Sequence, residues 1–458
     1  MMEWKNTRNP LLPLEYHIPD VEAHVMPDGR VYLYGSWDQY NDNKTYCSHQ
    51  YRVFSTDDMK NWKDHGISFD VKEVPWFHKE VSDSEIYSDW NPKDFSPSQK
   101  KISRMLEKEY GTADKKKLEE LMPKSEPLIY APDAIHKNGK YYLYFCGSDN
   151  SEGVAVSDKP EGPFRNPVKL PCEGIDPAVF VDDDGKAYYY WGQFRANGAR
   201  LKDNMVELEG DTICRRILTE EEHGMIEGCS MRKRNGIYYL VYACINDYGN
   251  AVRLAYATSD TPLGKFTKRG TIIENLGCDP GCVNNHGSIE EINGQWYVFY
   301  HRSSRNSIIH RRVCVEPIYF REDGSIEEVK MTSQGAGEPF VLDEKIMGYQ
   351  ACELKGKIYI DALAEAADRS KEALVNIVSG DAAIFRYVKS ERDFRELQIK
   401  AVGNGTIEVW MSDRKAGEIE VKNGQQISRK ISMKSGQYEL KLLFRSAENL
   451  EVDWIILR

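Results

Sequence analysis

The chain has 458 residues, of which 41% are apolar and 29% charged, so it can bury a sizeable core. Its formal net charge of −11 argues against nucleic acid and anionic membrane surfaces as partners, because both attract basic patches. No stretch approaches the roughly 20 apolar residues of a membrane-spanning helix, and MMEWKNTRNP at the start lacks the apolar core of a secretory signal. We therefore expect a cytoplasmic protein whose ten scattered cysteines stay reduced.

Five segments share one pattern, in which a short apolar strand and a polar turn with glycine precede a strand rich in tyrosine. They span 18–37, 131–148, 175–192, 226–243 and 285–302. The alternation of apolar and polar residues in these segments, together with their Asp-Gly or Asn-Gly turns, predicts β-hairpins. The turn glycines of the last four are 46, 51 and 58 residues apart, which is typical of one four-stranded propeller blade per repeat. Residues 1–320 are therefore predicted to form a five-bladed β-propeller.

The remaining segments depart from this repeat. The first two turn glycines are 110 residues apart, and the excess between residues 70 and 125 has a charged, mostly helical pattern, which we interpret as an insertion. Residues 321–345 are predicted to be a transition. From 346 to 458, short alternating strands with evenly spaced turns predict an antiparallel β-sandwich. The predicted fold is thus all-β: a propeller with a helical insertion, followed by a sandwich.

Three acidic residues lie at the starts of innermost strands in three different blades. Asp20, Asp176 and Glu227 each precede a turn glycine by nine residues. Because innermost strands line the central channel, residues in this common register are expected to meet at one end of it. A single acid at a strand start is usually a turn former, but three buried like charges are costly unless chemistry or a cation requires them. Asp133 breaks the register by three residues and is given a structural role.

These three acids suit the hydrolysis of a glycosidic bond. That reaction needs one carboxylic acid to protonate the leaving oxygen and one carboxylate on the opposite side of the sugar. When that carboxylate activates water, the configuration of the anomeric carbon inverts, and the two carboxyl groups stand about 6.5–9.5 Å apart. A third carboxylate beside the acid raises the pKa of that acid by like-charge repulsion.

Six motifs follow one another between residues 9 and 320: NPLLPLEYHIPDVEAHV, YAPDAIHKNGKYYLYF, GIDPAVFVDDDGKAYYYWG, IEGCSMRKRNGIYYLVYA, NNHGSI and YHR. In this order they resemble glycoside hydrolase family 43, the inverting five-bladed-propeller enzymes of hemicellulose breakdown. The resemblance implies that Asp20 is the general base, Glu227 the general acid and Asp176 the residue that orients this acid and tunes its pKa. It also implies that His286 lies beside a structural calcium or other cation at the axis, and that Arg302 holds the bound sugar.

Aromatic residues near the mouth of the propeller are expected to form a platform for the sugar. The candidates are Trp37, Tyr130, Trp191 and Phe194, and for each of them core packing is the alternative interpretation. The C-terminal segment resembles a family 6 carbohydrate-binding module through IVSGDAAIFRYV, GTIEVW, GEIEV, SGQYELKLLFRS and LEVDWIIL. The alternative is that it stabilises the propeller or shapes the rim of its active site.

The resemblance implies an exo-enzyme that needs no cofactor for its chemistry and releases terminal pentose from hemicellulose-derived oligosaccharides, as an α-L-arabinofuranosidase, a β-xylosidase or both. One alternative is an exo-galactosidase or an endo-arabinanase on the same fold. An endo-enzyme needs an open groove, which an insertion beside the mouth would tend to close. The other alternative is a non-catalytic propeller that binds sugar or a protein, and such a module has no need for a buried acid pair.

Overall fold

The computed structural model describes residues 2–39, 45–77, 90–363 and 371–458. Five antiparallel sheets form the blades of a β-propeller, and a sixth sheet forms a C-terminal β-sandwich. Blade 1 consists of β1 (Glu3–Lys5), β2 (Glu22–Val25), β3 (Val31–Gly35), β4 (Gln50–Thr56) and β5 (Asn61–Asp70); blade 2 of β6 (Ile129–Lys137), β7 (Lys140–Gly147), β8 (Ser151–Ser157) and β9 (Arg165–Glu173); blade 3 of β10 (Ala178–Val181), β11 (Ala187–Trp191), β12 (Arg195–Leu201) and β13 (Cys214–Thr219); blade 4 of β14 (Met225–Arg234), β15 (Ile237–Cys244), β16 (Arg253–Ser259) and β17 (Thr267–Glu274); blade 5 of β18 (Ser288–Ile292), β19 (Gln295–Ser303) and β20 (Arg311–Ile318).

The innermost strands close into a ring. Contacts join β2 to β6, β6 to β10, β10 to β14, β14 to β18 and β18 back to β2. All five predicted hairpins are present, and their turn glycines have φ between 74° and 83°, a left-handed conformation that costs glycine little. The five-bladed propeller predicted from the repeat is therefore confirmed.

The N-terminal segment ties the first and last blades together. The amide of Leu11 donates to the carbonyl of Val313, 3.1 Å away, and the side-chain amide of Asn9 both donates to and accepts from the backbone of Val315. A parallel bridge between Val21 and Gly287 adds a second link between blades 1 and 5. The three-stranded last blade is thus completed along β20 by the chain that precedes the first blade.

The described part of the insertion is mostly helical, as predicted, and residues 78–89 of it lie outside the described residues. It contains 3₁₀ turns at Val71–Glu73 and Pro92–Asp94 and the helices α1 (Pro97–Tyr110) and α2 (Lys115–Leu121). A capping box of Ser96 and Gln99 starts α1. The other helical segments of the propeller's described residues are a 3₁₀ turn at Gly210–Thr212 and α3 (Glu220–His223).

The C-terminal domain contains nine strands in one hydrogen-bonded sheet that folds around its own apolar core. Its strands are β21 (Lys345–Met347), β22 (Glu353–Lys355), β23 (Tyr359–Ala362), β24 (Glu372–Val375), β25 (Ala382–Ser390), β26 (Phe394–Met411), β27 (Arg414–Val421), β28 (Gln425–Met433) and β29 (Gly436–Leu457), with a 3₁₀ turn at Gly348–Gln350. Cys352 and Ile384 join an apolar cluster of blades 4 and 5, so the two domains share buried contacts. In the described part of the chain, no helix has the length and apolar character required to cross a membrane.

Candidate active site

Asp20 and Asp176 occupy equivalent places in blades 1 and 3, each two residues before the innermost strand. Both have left-handed backbone conformations, with φ of 57° and 54°. Residues other than glycine seldom adopt this region, although Asp tolerates it better than most, and such conformations cluster at functional sites. The same unusual backbone in two blades therefore sets both carboxyl groups at the same end of the channel.

His286 lies between these two carboxyl groups. Its Nδ1 is 3.6 Å from Oδ1 of Asp20 and 3.6 Å from Oδ2 of Asp176. On its other side the imidazole packs against the backbone of Gly228, where a Cβ atom would lie 2.9 Å from the ring. Glu227 directly precedes Gly228 in the chain, and its negative charge raises the pKa of Asp176. The structure thus places the three acids near one another, as their common register predicts, and sets His286 between Asp20 and Asp176.

Arg311 binds Asp20 in a buried ion pair. Its Nη1 donates to Oδ1 of Asp20 over 2.9 Å. The hydroxyl of Ser36 donates to the other carboxylate oxygen over 2.8 Å, and the Nδ1 atoms of His286 and His301 lie 3.6 Å from Oδ1. Burial alone would raise the pKa of Asp20, but these neighbours together lower it below its ordinary value of 3.8. Asp20 is therefore ionised at neutral pH.

Asp38 binds the other edge of the Arg311 guanidinium. Its two carboxylate oxygens accept from Nε and Nη2 of Arg311, each over 2.9 Å, in a bidentate pair. The ring of Tyr46 lies 4.6 Å from the centre of the guanidinium. Burial raises the pKa of Asp38 to about 6, against the opposing pull of Arg311. Arg311 is thus held in a fixed orientation between two carboxyl groups and an aromatic face.

Asp176 and Glu227 behave in the opposite way to Asp20. Burial raises the pKa of Asp176 well above its usual range, and the negative charges of Glu227 and Asp20 raise it further. Burial also raises the pKa of Glu227, although Nε2 of Gln193 donates to its Oε2 over 3.0 Å and opposes the shift. The two groups therefore hold a proton to higher pH than ordinary carboxyl groups do. The site thus combines one carboxyl group of lowered pKa with two of raised pKa.

A second cluster of buried polar side chains lies further along β2. Nε2 of His24 lies 2.6 Å from Oδ1 of Asp133 and 3.8 Å from Oε2 of Glu22. The other oxygen of Asp133 accepts from the amide of Val179 in blade 3, so Asp133 links two blades, in keeping with its predicted structural role. Burial raises the pKa of Glu22 to about 8 and that of Asp133 to about 7, and Arg232 opposes both shifts. Oε1 of Glu22 is buried without a hydrogen-bond partner.

Three of the predicted aromatic residues lie beside the site and are half-buried. Trp37 stands between Ser36 and Asp38, and the guanidinium of Arg52 lies 5.2 Å from its ring. The hydroxyl of Tyr130 donates to the carbonyl of Tyr46 over 3.2 Å. Phe194 follows Gln193, the partner of Glu227, and has a left-handed φ of 62°. The role of these rings as a sugar platform stays a prediction.

The structure corrects the prediction for Trp191. This residue is 1% exposed and belongs to the apolar core between blades 2 and 3, where its ring stacks on Tyr189. Its neighbours leave no face for a sugar. A tryptophan at the end of an inner strand pair therefore serves packing here, which is the alternative that the sequence left open.

The structure also corrects the prediction for Arg302. Strand alternation explains the error, because His301 faces Asp20 and its neighbour must therefore point away from the channel. Arg302 donates to the sulfur of Cys314 and to the carbonyl of Ala351 in the C-terminal domain. The arginine at the site is Arg311, the second residue of HRRVCVEP and the first of β20, and only the cross-strand register could have identified it.

Comparison with known proteins agrees with this geometry. The family model described as glycosyl hydrolases family 43 matches residues 107–326. A xylosidase/arabinosidase of Thermoclostridium stercorarium is 29% identical over 397 residues, covering 76% of this chain and 72% of the relative. Xylosidase/arabinosidase 43A of Humicola insolens is 31% identical over 368 residues, covering 67% of this chain and 95% of the relative.

A solved structure gives the same result. The family 43 β-xylosidase/α-arabinofuranosidase from a compost microbial metagenome, in complex with xylotriose and free of calcium, is 28% identical with a TM-score of 0.53. The alignment covers 72% of this chain and 99% of that one. The chain belongs to glycoside hydrolase family 43. It is a glycoside hydrolase, and the site at the propeller axis is its candidate active site.

Proposed function

We propose that this enzyme is an inverting exo-glycosidase that releases terminal α-L-arabinofuranose, terminal β-D-xylose or both from hemicellulose-derived oligosaccharides. The observation that carries the proposal is the division of charge within the site. Arg311 holds the pKa of Asp20 below its ordinary value, whereas burial raises the pKa values of Asp176 and Glu227 above theirs. The two relatives described above are named xylosidase/arabinosidase, and this supports a pentose as the sugar that is released.

In the proposed reaction Asp20 is the general base. It accepts a proton from water as this water attacks the anomeric carbon, and Glu227 gives its proton to the leaving oxygen. Asp176 is the proposed partner that orients Glu227 and tunes its pKa, and the two groups are linked electrostatically, since the negative charge of Glu227 raises the pKa of Asp176. The neutral imidazole of His286, whose pKa burial lowers, separates the two aspartates without adding a charge. The attack of water from the side opposite the leaving group inverts the anomeric configuration.

The anchoring of the insertion supports exo action. Ser98 at the start of α1 donates to the carboxylate of Glu220, seven residues before Glu227. Lys115 in α2 pairs with Glu173, three residues before Asp176. Asp94 pairs with Arg195, which follows Phe194. All three anchors lie close in sequence to site residues, at the end of blade 2, in blade 3 and in α3 between blades 3 and 4, so the insertion lies beside the mouth and favours a pocket over an open groove.

We also propose a structural cation at the axis, near the position predicted from His286. Its donors would be Glu22, His24 and Asp133, whose ligand atoms lie within 4.8 Å of one another. The buried, unpartnered Oε1 of Glu22 supports this assignment, since a bound ion would satisfy it. His286 contacts Asp20, two residues before Glu22 in the chain, so the two positions are neighbours along the channel. A cation here would neutralise buried charge and stabilise the ring of inner strands.

We propose a cytoplasmic location and short oligosaccharides as substrates. All ten cysteines lie within the described residues and none of them forms a disulfide; nine are buried, which is typical of proteins from reducing compartments. The carbohydrate-binding role predicted for the C-terminal domain stays a prediction, as do the domain boundaries at residues 320 and 346. Cell fractionation followed by an activity assay tests the location, and activity confined to the culture medium would contradict it.

The proposed function is tested with a panel of nitrophenyl glycosides that contains arabinofuranoside, xyloside, galactoside and galactofuranoside. We expect hydrolysis of the two pentosides and its loss in Asp20→Ala and Glu227→Gln. Hydrolysis of the galactosides alone would favour the exo-galactosidase. Hydrolysis of debranched arabinan, with no activity on the aryl pentosides, would favour an endo-arabinanase.

A further inference from the structure

Glu372 is an acidic residue of the C-terminal domain that binds two arginines of the propeller. It begins β24 and is 1% exposed. Its Oε1 accepts from Nη2 of Arg312 and from Nη2 of Arg305, each over 2.7 Å, and its Oε2 accepts from Nη1 of Arg312. Two guanidinium groups of the last blade therefore share one buried carboxylate that belongs to the other domain.

Arg312 and the site residue Arg311 are neighbours at the start of β20. Strand alternation sends their side chains to opposite faces, so that Arg311 binds Asp20 in the channel while Arg312 binds Glu372. A displacement of Arg312 would be transmitted directly to the backbone that carries Arg311. The ion pair with Glu372 thus fixes the end of the strand from which the guanidinium reaches Asp20.

Arg312 also holds the segment that leads to Asp20. Its Nη2 donates to the carbonyl of Leu14 over 2.9 Å and lies 3.0 Å from Nε2 of His17. The carbonyl of His17 in turn accepts from the amide of Asp38 over 2.9 Å. One guanidinium, oriented by Glu372, therefore contacts the segment that leads to Asp20, and this segment is hydrogen-bonded in turn to the backbone of Asp38, the other partner of Arg311.

No second buried carboxylate pairs with these arginines among the described residues. Asp361 lies 3.4 Å from Nε of Arg305, but its side chain is 38% exposed and is screened by water. Without Glu372, the buried charge of Arg312 would have no acidic partner, and an unpaired buried charge is strongly unfavourable. Arg311, the residue adjacent to Arg312, binds Asp20 and Asp38. A displaced Arg312 would therefore disturb the positions of these two carboxylates.

We propose that Glu372 is a positioning residue of the active site: it anchors Arg312 so that Arg311 keeps its hold on Asp20. This inference rests on the proposed role of Asp20 as the general base. It gives the C-terminal domain a part in catalysis through an ion pair, independently of any binding of sugar to that domain.

The test compares Glu372→Gln and Glu372→Asp with the control Glu344→Gln. Glu344 also joins the two domains, by an ion pair with Arg8 at 2.8 Å, but both members of this pair are partly exposed. The kinetic constants are measured on the best aryl glycoside, well below the lowest melting temperature of the set. We expect Glu372→Gln to lower kcat by at least about 10-fold with a smaller change in KM, because misplaced reacting groups slow the chemical step. Glu372→Asp should recover part of this loss, and Glu344→Gln should stay within about 2-fold of wild type.

A folded Glu372→Gln variant with the kcat of Glu344→Gln would overturn the inference. If Glu372→Gln does not fold, Glu372→Asp takes its place in the same comparison. Combination with Arg311→Lys gives a second readout, since residues of one network are not additive. We expect the double variant to retain at least about 3-fold more activity than the product of the single effects, and additive effects would contradict the inference. If wild type hydrolyses neither pentoside, the proposed substrate is rejected. The kcat of Glu372→Gln would then be compared with that of Glu344→Gln on whichever glycoside is hydrolysed.

Discussion

Arg311 and Asp20 form a buried ion pair in which Nη1 lies 2.9 Å from Oδ1. Asp38 holds the guanidinium from its other edge, so the charge beside Asp20 is fixed in place. This relationship separates Asp20 from the other two acids of the site. Asp20 and Asp176 are buried and Glu227 is half-buried, yet among these three only Asp20 forms an ion pair with an arginine, and it alone has a lowered pKa.

Replacing Arg311 with Lys should lower kcat/KM on an aryl pentoside by about 10²-fold, with only a modest fall in melting temperature. A lysine keeps the charge but cannot bridge Asp20 and Asp38 in two directions, so Asp20 loses its orientation. Arg253→Lys is the matched control, because Arg253 pairs with Glu274 in blade 4, away from the site. Equal kinetic constants for the two variants would show that Arg311 does not act on Asp20.

The two proposed catalytic groups should respond differently to the leaving group. Asp20→Ala should lose about 10²–10⁴-fold in rate on every substrate, because no carboxylate remains to activate water. Glu227→Gln should lose a similar factor on natural oligosaccharides but much less on dinitrophenyl pentosides, whose leaving groups need no proton. The measurement is kcat/KM over a series of leaving-group pKa values. A flat dependence for Glu227→Gln, equal to that of wild type, would remove Glu227 from the role of general acid.

The rate should depend on pH as a bell. Activity requires Asp20 ionised and the proton of the Asp176–Glu227 pair in place. The acidic limb should therefore fall below pH 3.8, because the pKa of Asp20 is lowered from that value, and the alkaline limb should lie above pH 4.5, because the pKa of Glu227 is raised from that value. Stopped assays of kcat/KM across this range test both limbs, and Glu227→Gln should lack the alkaline one. A rate that does not change between mildly acidic and mildly basic pH would contradict the assignment.

Most of the fold could be predicted from the sequence, because hairpin turns and strand alternation are local signals. The register of Asp20, Asp176 and Glu227 followed from counting back to glycines whose left-handed turns fix the strands. Which side chains of β19 and β20 face the channel could not be predicted in this way. YHR and HRRV contain three arginines, and the sequence pattern alone does not say which of them points to the channel. Trp191 shows the same limit, since burial depends on neighbours from two blades.

The contacts between the two domains could not be predicted from the sequence either. Glu372 is one acid among the 72 acidic residues of the chain, and nothing near it in the sequence points to Arg305 or Arg312. Only the packing of the sandwich against the last blade joins them. The partners of Asp20 were hidden for the same reason, because Arg311 follows it by 291 residues.

Removal of the proposed cation should destabilise the propeller. After dialysis against a chelator, we expect the melting temperature to fall by several degrees and to recover on addition of a divalent ion, because a ligand that binds only the folded state stabilises it. Glu22→Gln should have a lower melting temperature that the chelator does not change further. An unchanged melting temperature of wild type, together with the absence of metal by mass spectrometry, would exclude a bound ion.

The stereochemistry of the released sugar tests the central claim most directly. Proton NMR is recorded during the first minutes of hydrolysis of an aryl pentoside, before the free sugar mutarotates. If Asp20 activates water opposite the proton donated by Glu227, the first anomer observed has the configuration opposite to that of the substrate. A first product that retains the configuration would contradict this account, because it requires a covalent intermediate that the proposed roles of Asp20 and Glu227 do not include.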